Sequence, residues 1–174
     1  LTDELRPRAG VLTRQEAADR AGLIWNASYQ VQLDFTQGED TFACDTSISF
    51  ESKPGTATFV DYTAPEVASI KLNGEPLDPA LFDGERIRLE GLADRNNLSI
   101  KGRSAYMNTG VGLHRFVDPV DGAVYLHTQF EPFDAHRVFP CFDQPDIKGS
   151  FDIMVVAPDG WQVISNSPLQ EWRA

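Results

Sequence analysis

Over much of this chain, apolar and polar residues alternate one by one. Tyr29, Val31, Leu33 and Phe35 interleave with Gln30, Gln32, Asp34 and Thr36. Phe42, Cys44, Thr46, Ile48 and Phe50 interleave with Ala43, Asp45, Ser47 and Ser49. A period of two sends successive side chains to opposite faces of an extended strand, so each run predicts a strand with one buried and one wet face. Gln37-Gly38-Glu39-Asp40 lies between them and turns the chain, which makes the pair a β-hairpin. Further strands are predicted over 57–62, 67–72, 86–89, 97–103, 123–128, 150–156 and 161–165. They are punctuated by Lys53-Pro54-Gly55, Asn73-Gly74, Asp118 to Gly122 and Ala157-Pro158-Asp159-Gly160. Asn-Gly is the strongest two-residue hairpin signal. Residues 78–82 predict a helical turn, and 106–117, rich in Gly and Asn, predict a loop. Short strands at this spacing predict an all-β fold, an antiparallel β-sandwich or a related open sheet.

One segment breaks the pattern. Thr13-x-x-Glu16 is a capping box, in which the hydroxyl caps an orphan N–H and the carboxylate reaches back. Ala17, Ala18 and Ala21 follow, so a short helix is predicted over 14–21, weakened at its end by Gly22. The polar segment 1–12 is expected to be disordered or extended, with one domain over 13–174.

The formal net charge of -11 excludes nucleic acid and anionic membrane as natural partners, since both need basic patches. Cys44 and Cys141 form no CxxC and no metal-ligand spacing, so free buried thiols and a reducing cytoplasm are expected. No apolar run approaches the length of a membrane-spanning helix, and LTDELRPRAG at the start has no signal core. The ending Glu171-Trp172-Arg173-Ala174 has no Gly or Pro stop and reads as a cut through a longer protein.

The densest chemistry lies between Tyr125 and Phe151, YLHTQFEPFDAHRVFPCFDQPDIKGSF. Alternation puts Val124, Leu126 and Thr128 on one face and Tyr125, His127, Gln129 and Glu131 on the other. Pro132 removes a donor and ends the pairing. A carboxylate at such a strand end can bind an ammonium group through charge-assisted hydrogen bonds, with the Gln129 amide orienting a neighbour. On residue types alone, a Glu before a Pro is more often simply a solvated strand end. Arg137 with Asp134, Asp143 and Asp146 fits a fold-holding ion network. The three histidines, His114, His127 and His136, include no HExxH, and no GxSxG or phosphate loop is present. Spacing thus predicts a polar site rim and no self-contained enzyme.

Thr128-Gln129-Phe130-Glu131-Pro132, Ala135-His136-Arg137, Phe139-Pro140-Cys141-Phe142-Asp143-Gln144-Pro145 and Lys148-Gly149-Ser150-Phe151 closely resemble the TQFEP, ARR, FPC-x-DEP and KA-x-F block of M1-family zinc aminopeptidases of the aminopeptidase N type. The upstream LTRQEAADRAG is similar to actinobacterial-type members, and Trp161 to Asn166 resembles the family's following strand. The resemblance implies a saddle-like N-terminal β domain packed on its own downstream catalytic domain. It implies that Gln129 lines the pocket for the substrate's first side chain. It further implies that Glu131 helps hold the free α-amino group of a peptide. The parent would then be a zinc enzyme that removes N-terminal amino acids. Its zinc ligands, exopeptidase loop and transition-state tyrosine would lie beyond Ala174, so this stretch alone is expected to hold no metal and to hydrolyse nothing. His136 and Gln144 depart from the ARR and DEP pattern. Three other readings compete: a non-catalytic M1-like scaffold, a free-standing β-sandwich binding module, and an epoxide-hydrolase relative of the leukotriene A4 type. The last carries an amide at the Glu131 position.

Overall fold

The computed structural model of the chain describes residues 11–172, so the segment 1–10, expected to be disordered or extended, lies outside the described residues. The capping box forms as read: Thr13 Oγ1 accepts from the Glu16 N–H at 3.2 Å, and Glu16 accepts from the Thr13 N–H at 2.8 Å. Helix α1 runs over Arg14–Ala21 and ends at Gly22, whose N–H returns to the Ala18 carbonyl.

Ten strands follow: β1 (Ile24–Asp34), β2 (Thr41–Ser52), β3 (Thr58–Asp61), β4 (Glu66–Leu72), β5 (Glu75–Pro76), β6 (Arg86–Leu89), β7 (Arg95–Ala105), β8 (Gly112–Val117), β9 (Val124–Gln129) and β10 (Gly149–Val156). They make a six-stranded sheet in the order β10-β1-β2-β7-β4-β5 and two two-stranded sheets, β3-β6 and β8-β9. The long alternating runs are its centre. Along β2 the burial alternates almost residue by residue, with Phe42, Cys44, Ile48 and Phe50 inward. That face shares one core with Val60, Ile87 and Leu89 of the small β3-β6 sheet, with Tyr62 just after β3, and with Val138, Phe139 and Phe142 beyond β9. Phe50 and Phe142 meet edge to face at 5.1 Å.

The all-β fold with one short N-terminal helix stands as expected, and three details of it need correction. The large sheet is mixed, because β10 pairs with β1 in parallel, from Ala27 opposite Gly149 to Asp34 opposite Val156. Alternation carries no strand direction. Direction comes from the connection, and the chain between β7 and β10 crosses the core before returning at the sheet's edge. The expected loop over 106–117 contains β8, because β9 supplies it with ladder partners from Gly112–Gln129 to Val117–Val124. Finally, 161–165 is not a strand. An extended segment needs a neighbour for its backbone groups, and none of the described strands pairs with it.

Two charges sit inside this apolar frame. Arg20 of α1 donates to Asp61 of β3 at 2.6 Å, and both side chains are almost wholly buried. The Arg20 guanidinium lies 4.6 Å from the Phe59 ring centroid, and its Nε donates to Gln144 Oε1 at 3.0 Å. Burial pushes the Asp61 carboxyl up, against the opposing charge and hydrogen bond of Arg20. The pair fastens the helix and the 135–147 segment to the small sheet.

Candidate functional site

β9 ends at Gln129, where His127, Thr128 and Gln129 are all exposed. Gln129 and Glu131 are exposed while Phe130 between them is partly buried. The cause is local packing: the Phe130 ring meets Phe139 edge to face, centroids 5.8 Å apart and planes at 89°. Pinning Phe130 inward turns its two neighbours outward. The Glu131–Pro132 peptide is cis. A tight turn follows, in which the Asp134 N–H donates to the Phe130 carbonyl at 2.9 Å and Arg137 Nε donates to Asp134 Oδ1 at 2.6 Å. The segment is then tied down. Thr63 N–H donates to the His136 carbonyl, and Asp61 and Cys141 exchange two backbone hydrogen bonds of 2.9 and 3.0 Å. Ser104 Oγ donates to the Val138 carbonyl at 2.9 Å while accepting from the Tyr62 hydroxyl at 3.0 Å. Glu131 and Gln129 are therefore side chains on a fixed backbone rather than on a free loop.

The expected ion network resolves into two separate pairs. Arg137 pairs with Asp134. His136, itself buried, presents its backbone N–H and ring Nδ1 to Asp143 Oδ2 at 3.1 and 2.7 Å. A carboxylate only accepts, so Nδ1 carries the proton. Asp146 is exposed and belongs to neither pair. Gln144 takes another role altogether. Its Oε1 accepts from Arg20 and its Nε2 donates to the Ala17 carbonyl at 2.8 Å, which clamps α1 to the segment. The two thiols are both buried and unpaired. Desolvation pushes Cys44 up to about 12 and Cys141 well above the usual thiol range.

Opposite Gln129 on β8 stands Gly112, at φ 65°. A Cβ there would lie 3.1 Å from Arg137 Cβ and 3.3 Å from Met107 Cγ. The missing side chain lets Arg137 and Met107 close over the ladder beside Gln129. One step along, His114 and His127 are cross-strand partners with ring centroids 4.8 Å apart. Among the described residues, no group of three or more His, Cys, Asp or Glu side chains converges where a metal could sit. The donors present do not fit a zinc site.

The family described as Peptidase M1 N-terminal domain matches residues 26–173. The chain belongs to the peptidase M1 family, as its N-terminal domain. Aminopeptidase N of Streptomyces lividans is 49% identical over 165 residues, which cover 92% of this chain and 19% of that protein. A probable aminopeptidase 1 of Saccharolobus solfataricus is 34% identical over 106 residues, 60% of this chain and 13% of that one. The M1 N-terminal domain thus spans a minor part of the relatives' length. Yeast LTA4 hydrolase, solved in complex with bestatin, superposes with a TM-score of 0.65 at 17% identity. That match covers 87% of this chain and 26% of the hydrolase, and it shows the shared fold.

Sequence reasoning over this M1 domain singled out Gln129, Glu131, Arg137 and Asp134, and missed Arg20, Asp61, Gly112 and the His114–His127 pair. A signal existed for one of these: Asp61 interrupts the apolar run Phe59-Val60-Tyr62. Its partner lies 41 residues away, and no local pattern links the two.

Proposed function

We propose that this domain, taken as 13–174, is the substrate-amine and first-side-chain wall of a zinc aminopeptidase that removes N-terminal amino acids from peptides. Glu131 offers a carboxylate to the α-ammonium, and an anion that demands an ammonium selects chains with a free N-terminus. Gln129 offers its amide to the first side chain. The observation that carries this reading is the outward, rigidly backed pair Gln129 and Glu131 on either side of the core-anchored Phe130. The zinc ligands and the general base belong to the downstream catalytic domain, where zinc supplies Lewis acidity and an activated water. The domain alone then hydrolyses nothing. No helix among the described residues is long and apolar enough to cross a membrane. A cytoplasmic site of action is part of the same proposal, supported by the two buried free thiols.

The test is kinetic, on the full-length parent. Glu131→Ala should lower kcat/KM for free-amine aminoacyl substrates by roughly 10- to 100-fold, the loss of one hydrogen bond to a charged group. Unchanged kinetics across several aminoacyl substrates would remove Glu131 from the site.

A further inference from the structure

We propose that His127 determines specificity in this site and that His114 positions it. The proposal rests on the reading of Gln129 and Glu131 given above. An amine held at Glu131 and a first side chain met by Gln129 define a direction that runs back along β9. Same-face residues of a strand are spaced roughly 6.5–7 Å apart. The next side chain on that line is His127, whose ring is exposed. A methyl group at the substrate's first position ends near Gln129, whereas a leucine or phenylalanine side chain extends far enough to meet the imidazole.

The neighbours of His127 support a fixed ring. Its cross-strand partner His114 leans against it, centroids 4.8 Å apart with planes tilted 37°. His114 is tied to the main chain, because the Gly110 N–H donates to its Nδ1 at 3.1 Å. A backbone amide can only donate, so Nδ1 keeps its lone pair and the neutral ring carries its proton on Nε2. The loop holds His114, and His114 backs the face of His127. On the Gln129 side, Gly112 sets no side chain across the ladder, so Arg137 and Met107 border the lane instead. The resulting surface reads Glu131, Gln129, His127 in line: an anion, an amide, then an aromatic ring. That order suits an amino terminus followed by a long apolar or aromatic side chain.

The experiment measures kcat and KM of the full-length enzyme on the p-nitroanilides of alanine, leucine and phenylalanine. His127→Ala should cost the leucine and phenylalanine substrates about tenfold more in kcat/KM than alanine, mostly through KM. His127→Gln, which keeps the bulk and polarity of the exposed position, should show the same ranking and serves if the alanine variant folds poorly. His114→Ala should reproduce the substrate ranking with a smaller effect, and that effect should vanish in the His127→Ala background, as a residue acting through another requires. An equal loss on all three substrates, or none, overturns the proposal for His127. Additive effects of the two histidines overturn the positioning role of His114. Glu131→Ala and Gln129→Ala run alongside: if neither alters kinetics, the site reading itself fails. If they do while His127 does not discriminate, only this inference falls.

Discussion

Gln144 shows how much one atom decides in this domain. Its amide faces a donor on one side, Arg20 Nε, and an acceptor on the other, the Ala17 carbonyl. Only a group with both capacities satisfies the two, which fixes the orientation of the amide and explains a glutamine where the M1 pattern has glutamate. Gln144→Glu would aim a carboxylate oxygen at the Ala17 carbonyl and add a negative charge beside Asp61 and Asp143. We expect a loss of about 1–3 kcal/mol in urea unfolding near neutral pH. A variant as stable as the wild type would refute this account of the glutamine. The buried pair behind it should be costlier to break. Arg20→Ala removes the 2.6 Å partner of buried Asp61, leaving Arg86 Nε at 3.8 Å as the remaining opposite charge, and removes the contact with Phe59, so about 3–5 kcal/mol is expected in the same assay.

At the scale of elements, the helix owes its place to charges at both ends. Glu16, in its first turn, closes the capping box and also accepts from Arg86 of β6 at 2.7 Å. Partial burial works against the Glu16 charge, but the hydrogen bonds from Arg86 and Thr13 outweigh it and hold the carboxyl at about 2, below the ordinary 4.5. A depressed carboxyl stabilises the fold above its unfolded value and loses that contribution as pH falls toward the folded one. Thermal melts of the wild type and Glu16→Gln should therefore converge between pH 4.5 and 2, with the wild type the more stable above that window. Parallel curves would rule out the link. This lock was half legible in the sequence. The capping box is local, so Thr13 and Glu16 announced the helix to the residue, whereas Arg86 lies 70 residues away. The strands follow the same division. A half-buried strand writes its period into its own residues, as β1 and β2 do. The direction of β10 and the existence of β8 depend on partners elsewhere, and no residue within them records the pairing. At the proposed site, the strand end carrying Gln129 and Glu131 was expected from the proline that follows, while the substrate roles given to them come from the M1 resemblance. Gly112 and the His114–His127 pair depend on the β8–β9 register and were not.

For the whole molecule, the informative surface is the outer edge of the large sheet. Among the described strands β10 pairs with β1 alone, and Phe151, Ile153 and Met154 are each about half exposed. Past it in sequence, Ile164 and Trp172 are exposed at 90% and 67%, in a segment that joins none of the described sheets. Large apolar side chains exposed on an edge strand mark a surface that normally meets protein, and the open backbone groups of an edge strand invite further pairing. The chain covers 19% of its Streptomyces lividans relative. Under the proposed function the downstream domain lies against this edge and supplies what 161–165 lacks. Prepared alone, the 174-residue chain should then bind a hydrophobic dye and self-associate with rising concentration in sedimentation, despite a charge of -11 that opposes association. Ile153→Lys, on the exposed strand, should weaken both effects while leaving the melting temperature nearly unchanged, because Ile153 is half exposed and outside the buried core. If the downstream domain covers this edge, the same substitution in the full-length protein should destabilise. A monomeric, dye-free isolated chain would mean that this edge needs no cover, and the placement of the downstream domain against it would have to be abandoned.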